Sequence, residues 1–594
     1  MVNRLNEWLK GHQRLIGACL ALATILVYAG SLSNGFFLDD VPFILQNPFI
    51  LNPSLWRRIF TGSIWAFRGV DASYYRPLQF SSYWLIYRLA GPNPAAFHLF
   101  QLVLYAATVW VFYRLGCELF ENDLAALAGA LLWAFHPLHV EAVVWIAALS
   151  EVGFGFFYVL AYLLFLRAEK APAPKLRSHW LAALVYFPAL FFKEMAVSLP
   201  LLLAGYWFFL GGRSGAASWR QRAVRWAPYL AAVGAYIVIR RMALGFWIGA
   251  SPQVGRVSIR VLATAVGLLG QYARLFFLPT SLSLYRGFEL GPSLHSPWPW
   301  ITLAGLIVAT GFRKREPLLA FLVIWWVVAL LPSLDIRQLS FPLPADRISY
   351  VPSQGLCLGV SYVLLIGLLP RLRQARLARV VLPALILLTL VWASKTVRTI
   401  PQWRDNETML NHELSESPDT ALLHFSKAVT LQFQHSDLDG AMKEYEMAHR
   451  LDSAGPRPLG LDYWYYLGLG QIALRKGQTA EAITDFERAA RTIPDNSEAY
   501  DALGAIYFPH GGYAKAAEYY VKALQANPYD LGARFSLGTC LMKLGKYQAA
   551  AEQFRAARTT DPTYLQAFEA EAKALEADGD SAGGTEVRHL MKKQ

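Results

Sequence analysis

A chain of 594 residues that is 55% hydrophobic and 14% aromatic but only 16% charged is too apolar for a soluble protein of several domains. Its net charge of +13 is uneven: residues 1–400 hold 35 Lys and Arg against 15 Asp and Glu, and the remainder 20 against 27. The basic excess falls between apolar runs, where the positive-inside rule places it, so it reads as membrane topology and excludes a nucleic-acid footprint.

Arg4, Lys10 and Arg14 precede the first apolar run, 15–32, which reads as an uncleaved signal anchor. Further runs follow at 97–115, 124–144, 146–166, 180–210, 226–246, 258–279, 298–312, 317–334, 350–369 and 378–397, each approaching the ~20 residues that cross a bilayer. The run 180–210 is long enough for two spans broken around Lys193-Glu194. Basic clusters at the N-terminus, Arg167 to Arg177, Arg213 to Arg225, Arg313 to Arg315 and Arg371 to Arg379 are expected to be cytoplasmic. Parity then requires that 226–246 or 258–279 re-enter or lie along the interface, giving about eleven spans. The polar stretches 33–76, 136–141, 193–194, 280–297 and 335–347 share the opposite side. In the first of them, Trp56-Arg57-Arg58 and Trp65 to Arg68 mix rings and cations as interfacial helices do. The cysteines Cys19, Cys117, Cys357 and Cys540 have neither metal-ligand spacing nor a disulfide pattern.

Beyond Trp403 a period of 34 residues appears. It relates Pro494, Pro528 and Pro562; Gly470, Gly504 and Gly538; Leu469, Leu503 and Leu537; and Ala489, Ala523 and Ala557, with Phe486, Tyr520 and Phe554 in an aromatic column. This order resembles the tetratricopeptide repeat, whose stacked helix pairs present a groove for an extended peptide or partner protein. A degenerate unit lies near 420–453, an insertion at 453–461 follows it, and 564–592 is expected to form a polar capping helix. The predicted fold is all-α, with a polytopic transmembrane domain over 1–400 and an α-solenoid over 401–594. The last span runs outward, which sets the repeats outside the cytoplasm.

Polar clusters interrupt this apolar background. Asp39 and Asp40 adjoin the first span, and carboxylates are costly to desolvate at a membrane boundary unless they are used. His136, His139 and Glu141 share one turn, continued by Ser150-Glu151; Lys193-Glu194 and Asp346-Arg347-Ile-Ser-Tyr350 follow, and Arg76 and Arg240 add cations. The histidines do not have HExxH spacing, so no catalytic zinc is predicted. If a divalent metal assists, its oxygen ligands would be Asp39, Asp40 and Glu141. No Gly-rich phosphate loop or Gly-x-Ser-x-Gly elbow occurs in a context that supports nucleotide or serine hydrolysis. The constellation fits glycosyl transfer from a membrane-soluble donor: a carboxylate deprotonates the acceptor hydroxyl, and cations stabilise the departing lipid phosphate. Arg76, Lys193, Arg240 and Arg347 are the candidates for the phosphate, with His136, His139, Glu151, Glu194 and Tyr350 as supporting polar groups.

Asn34-Gly-Phe-Phe-Leu-Asp39-Asp40, Tyr75-Arg76-Pro77-Leu78, His136-Pro-Leu-His139-Val-Glu141, Lys193-Glu194 and Asp346-Arg347-Ile-Ser-Tyr350-Val-Pro352-Ser353, followed by the repeats, together resemble the transmembrane and tetratricopeptide-repeat protein O-mannosyltransferases. The resemblance implies a GT-C fold and an inverting transfer of mannose from a polyprenyl phosphate to Ser or Thr of a protein. It also implies that Asp39 is the base and Asp40 its companion, with Glu141 a third catalytic candidate. The short array and compact loops look prokaryotic, which implies undecaprenol in place of dolichol and a bacterial inner membrane with the site and repeats facing the periplasm. Two alternatives stay open: the same chemistry on a lipid or cell-envelope glycan, and a non-catalytic scaffold.

Overall fold

Each apolar run is helical in the structure, a computed structural model that describes residues 2–68, 72–172, 175–211, 218–247, 259–280, 282–284, 295–334, 345–368, 374–454 and 460–592. No strand occurs among the described residues. Among the described residues six helices are long and apolar enough to cross a bilayer: Gln13–Ser33, Pro94–Phe120, Ile146–Lys170, Trp219–Leu244, Pro317–Leu334 and Arg379–Trp403. A seventh candidate is the pair Asp123–Ala134 and Pro137–Val144, bent by 53° where Pro137 cannot continue the first helix. The chain is thus a multi-pass membrane protein.

The run 180–210 is two helices, Leu176–Phe192 and Leu199–Leu210, parted at Lys193. Of the two runs expected to resolve the parity problem, Trp219–Leu244 has the length to cross, and the shorter apolar helix is Leu262–Phe277. The helix Pro77–Ala90 was not among the apolar runs, because Gln79, Ser81, Ser82 and Arg88 interrupt its hydrophobicity. The expected polar stretches 280–297 and 335–347, the basic clusters beginning at Arg213 and Arg371, and the insertion 453–461 lie partly outside the described residues.

The chain divides into two units, one of residues 1–41 and 74–417, the other of 42–73 and 418–594. The second unit thus begins beyond the sequence division at 400 and includes part of the first polar loop.

In that second unit the repeats are helical hairpins. Asp462–Arg475 pairs with Thr479–Thr492, Ser497–Tyr507 with Tyr513–Ala526, and Leu531–Lys543 with Tyr547–Thr560. Ahead of them Ala421–Thr430 packs on Leu438–Ala454, and behind them Leu565–Ala577 packs on Ser581–Met591. The C-terminal cap is therefore a full hairpin where a single helix was expected. Buried Glu571 ties it to the preceding repeat by accepting from Arg555 at 2.7 Å and from Arg558.

The columns have direct packing reasons. A Cβ on Gly470, Gly504 or Gly538 would lie 2.7–2.8 Å from the ring of Phe486, Tyr520 or Phe554, so the first helix of each hairpin can approach the second only without a side chain there. A further column escaped the sequence reading: Gly477, Gly511, Gly545 and Gly579 make the turn inside each of the last four hairpins with φ between 72° and 98°, a region that favours glycine. Valine at Gly504 is expected to lower the stability of this unit by about 1–3 kcal/mol, the usual cost of overpacking. An unchanged thermal midpoint would refute that packing.

The segment 42–73 packs on the same unit. Phe49 sets its ring edge against Tyr529 at 5.6 Å, Arg58 lies 5.3 Å from the centre of that ring, and Asn52 Nδ2 donates to Thr560 O at 3.1 Å. Arg68 reaches Glu498 at 3.7 Å. Trp56 and Arg57 lie on the 3-10 helix Pro53–Phe60, expected to be an interfacial helix. Arg58 of that helix is committed to the repeats, because a tyrosine face offers its guanidinium a cation–π partner.

Candidate functional site

Three polar motifs of the first unit, those of Asp40, Lys193 and Arg347, meet on one short segment, residues 141–151. The bend at Pro137 breaks the helix here, and two turns, Val140–Val144 and Ile146–Ala148, carry the chain into the helix Leu149–Lys170. Such turns leave backbone groups that only side chains from elsewhere can satisfy. Gln101 Nε2 donates to Ala142 O and Trp145 O at 2.8 and 2.9 Å. Gln79 Nε2 donates to Ala147 O, and Tyr83 Oη to Ile146 O, both at 2.8 Å. Both belong to the helix that starts one residue after Arg76.

Asp40 also serves this segment. Fully buried, it accepts from Ala147 N at 2.7 Å with one oxygen and from Phe37 N at 3.2 Å with the other. Burial pushes its carboxyl well above the usual range, the two backbone donors pull it back, and the charge of Asp39 adds to the rise. Asp40 thus pins the turn that presents Asp39, which is itself half-buried. Leu38 inside that turn has φ 46°, a left-handed conformation that is strained for a leucine. Three further ties hold it: Gly35 N donates to Arg404 O, Leu38 N to Asn406 Oδ1, both at 2.9 Å, and Phe37 packs on Trp145 and Trp403. Alanine at Asp40 would leave two interior N–H groups without acceptors, so a loss of about 2–5 kcal/mol is expected. Faster amide exchange over residues 35–40 measures it, and wild-type protection would show that Asp40 is no anchor.

The cations arrive in pairs with carboxylates. Glu141 accepts from Arg347 twice, at 2.8 Å from its backbone N and from its guanidinium, which also lies 5.2 Å from the centre of the Trp145 ring. Lys193 pairs with Glu151, and Arg76 forms two hydrogen bonds with Glu194 at 2.6 and 3.1 Å. The neighbours Lys193 and Glu194, which could have paired with each other, therefore face different partners. Burial works against the charge of Arg76, but Glu194 outweighs it and holds the guanidinium pKa above its ordinary value. Arg240 donates to Trp247 O at 2.6 Å and lies 5.6 Å from the centre of the Phe246 ring, at the far end of its helix.

Both histidines are buried and hydrogen-bonded to other elements. His136 Nε2 donates to Phe276 O at 3.0 Å and packs on Trp392, while His139 Nε2 meets Ser353 Oγ at 2.9 Å. Buried Tyr350 accepts from Trp133 Nε1 through its carbonyl at 2.9 Å. Among the described residues no three His, Cys, Asp or Glu side chains are grouped to hold a metal. The set Asp39, Asp40 and Glu141 does not fit that task, since Asp40 and Glu141 spend their carboxylates on Phe37, Ala147 and Arg347.

Asn406 and Glu413, on the helix Asn406–Glu416, were missed in the sequence. The one legible signal is spacing, because Met409, Leu410 and Glu413 share the buried face of that helix.

Known proteins resemble both parts of the chain. The tetratricopeptide repeat family matches residues 427–498, 467–530 and 502–564. Over 465 residues the chain is 24% identical to the protein O-mannosyl-transferase F38B6.6 of Caenorhabditis elegans, covering 75% of this chain and 64% of that one. The chain is thus similar to proteins named protein O-mannosyl-transferases. Its similarity to the tmtc2 transferase of Xenopus laevis is 28% over 43% of this chain and 32% of that one, and to TMTC1 of Mus musculus 35% over 25% and 17%. The matches span less than two thirds of the length of these transferases. Among solved structures, YrrB, a TPR protein with an unusual peptide-binding site, is 25% identical over 31% of this chain and 90% of its own, with a TM-score of 0.26.

Proposed function

We propose that the chain is a GT-C glycosyltransferase that moves mannose from a polyprenyl phosphate to a Ser or Thr hydroxyl of a protein engaged by its repeats. One observation carries this reading: the strained turn that presents Asp39 is pinned to the same eleven-residue segment, 141–151, that pairs with Arg347 and Lys193. Base and phosphate-facing cations are then fixed by one rigid piece, as a transfer without reorganisation requires. Two buried polar atoms of the segment, Trp145 Nε1 and Glu151 Oε2, have no hydrogen-bond partner among the described residues, which suits a site that meets a polar substrate.

In this reading Asp39 takes the hydroxyl proton as the acceptor oxygen bonds to the anomeric carbon. The bond from that carbon to the phosphate oxygen breaks on the opposite face, so the configuration inverts. Arg347, Lys193 and Arg76 offset the charge that builds on the lipid phosphate, while Asp40 and Glu141 position. The basic clusters orient the site and the repeats to the extracytoplasmic side, and the compact loops favour a bacterial inner membrane with an undecaprenyl donor.

The test offers purified protein a panel of labelled undecaprenyl- and dolichyl-phosphate sugars with Ser/Thr peptides. Mannose on peptide is the expected result. Donor consumed with peptide unlabelled would move the acceptor to a lipid or glycan, and no consumption of any donor by folded protein would refute the transferase.

A further inference from the structure

We infer that Glu413 is a positioning residue for Arg347, acting through the chain that leaves the helix Ile259–Phe277. The inference rests on the proposed role of Arg347 at the donor phosphate.

Residues 278–280 and 282–284 are outside any helix, yet four side chains from separate elements hold the backbone from Phe276 to Leu284 where it is described. His136 Nε2 donates to Phe276 O, and Lys395 Nζ donates to Pro279 O and, at 3.0 Å, to Thr280 O. Ser283 then bridges two acids. Its backbone N donates to Asp346 Oδ2 at 3.1 Å, and its hydroxyl donates to Glu413 Oε2 at 2.6 Å. Leu284 N gives the same Glu413 oxygen a second hydrogen bond at 2.9 Å. Ser283, Asp346 and Glu413 are all buried.

Asp346 precedes Arg347 in the 3-10 turn Asp346–Ser349, so whatever fixes its carboxylate fixes the start of that turn. Arg347 is consequently held from two directions. Glu141 grips its backbone N and guanidinium, and the Glu413–Ser283–Asp346 relay sets the turn that carries it. If the relay slackens, the guanidinium loses its register against the phosphate while the base at Asp39 is undisturbed. The result is a defect in donor binding and not in chemistry.

The charges around Glu413 give the relay a pH dependence. Burial lifts the Glu413 carboxyl to about 7; the hydrogen bonds from Ser283 and Leu284 oppose the rise, and the charges of Asp346 and Glu141 add to it. Arg347 neutralises much of Glu141, and Lys395 is within electrostatic reach of Asp346 and Glu416. Because the two donated hydrogen bonds favour the ionised carboxylate, they are strongest above pH 7 and weaken as pH falls through it.

The experiment compares full-length wild type, Glu413→Gln and Ser283→Ala in steady-state transfer and in amide exchange of residues 345–350. Glu413→Gln should raise the donor KM about 10-fold, the equivalent of one charge-assisted hydrogen bond, with kcat within about threefold. The wild-type KM should rise below pH 7, and that limb should vanish in the variant. Ser283→Ala should act in the same way and the double variant no more strongly than either, as members of one relay do. A donor KM and pH limb unchanged in Glu413→Gln, or effects that simply add, would overturn the relay. Wild type that transfers no sugar defeats the transferase reading instead. Amide exchange then still decides the relay, since it should quicken in both single variants and would overturn the inference if it did not.

Discussion

Asparagine at Asp39 is expected to lower sugar transfer by about 10²–10⁴-fold, the usual contribution of a positioned general base, with no change in unfolding temperature. The two halves of that result have separate causes. Asparagine has the shape of aspartate but cannot take a proton from a hydroxyl. The turn itself is held by the hydrogen bonds of Asp40, Asn406 and the Arg404 carbonyl, and asparagine at Asp39 removes only a charge that opposes the ionisation of Asp40. Glutamate at the same position keeps the base but moves it along the attack line, so it should recover only part of the rate. The assay follows labelled mannose from polyprenyl phosphate to peptide, beside a melting curve in detergent. Activity within tenfold of wild type in the asparagine variant would remove Asp39 from the mechanism, and a lowered melting temperature would make it an anchor.

A comparably large effect on stability is expected at Lys193. Its side chain is 7% exposed and that of its partner Glu151 is 1% exposed, so methionine at Lys193 leaves a carboxylate uncompensated in the interior. Breaking such a pair costs about 3–5 kcal/mol, whereas replacing both partners by apolar side chains of similar volume is often neutral. Lys193→Met alone should therefore yield little folded protein, and Lys193→Met with Glu151→Leu should recover it. The recovered double variant also separates structure from chemistry. If Lys193 faces the donor phosphate, that protein is folded and inactive. Full activity in it would reduce the pair to scaffolding, and a stable single variant would show that the pair is not closed.

The contrast between these two sites follows what a sequence can carry. Helix positions follow from runs of apolar residues, and the repeat columns follow from a 34-residue period, because both patterns are local or regular. Asp39 and Asp40 could be singled out as costly carboxylates, but their division of labour depends on Ala147 N, 107 positions away. Arg76 likewise meets Glu194 at a separation of 118 and Arg347 meets Glu141 at 206, distances over which no periodicity extends. Adjacent Lys193 and Glu194 invited a local pair, yet a short turn begins between them and sends the two side chains to different partners, Glu151 and Arg76. Glu413 was hidden for the opposite reason, since it sits among other polar residues in a short helix where only its two apolar neighbours mark the buried face.

The second unit is assembled from pieces made far apart in time. Asn52 docks on Thr560, which follows it by 508 residues. At about 5–20 residues per second, a ribosome needs on the order of 25–100 s to deliver that partner. During that interval the larger part of the first unit, residues 74–417, is synthesised, while Phe49 and Arg58 wait for a tyrosine that does not yet exist. Early release or a stalled ribosome would leave this segment as an uncovered, aromatic-rich ribbon, so the chain's yield should respond to elongation rate and to chaperones that shield such ribbons until synthesis ends.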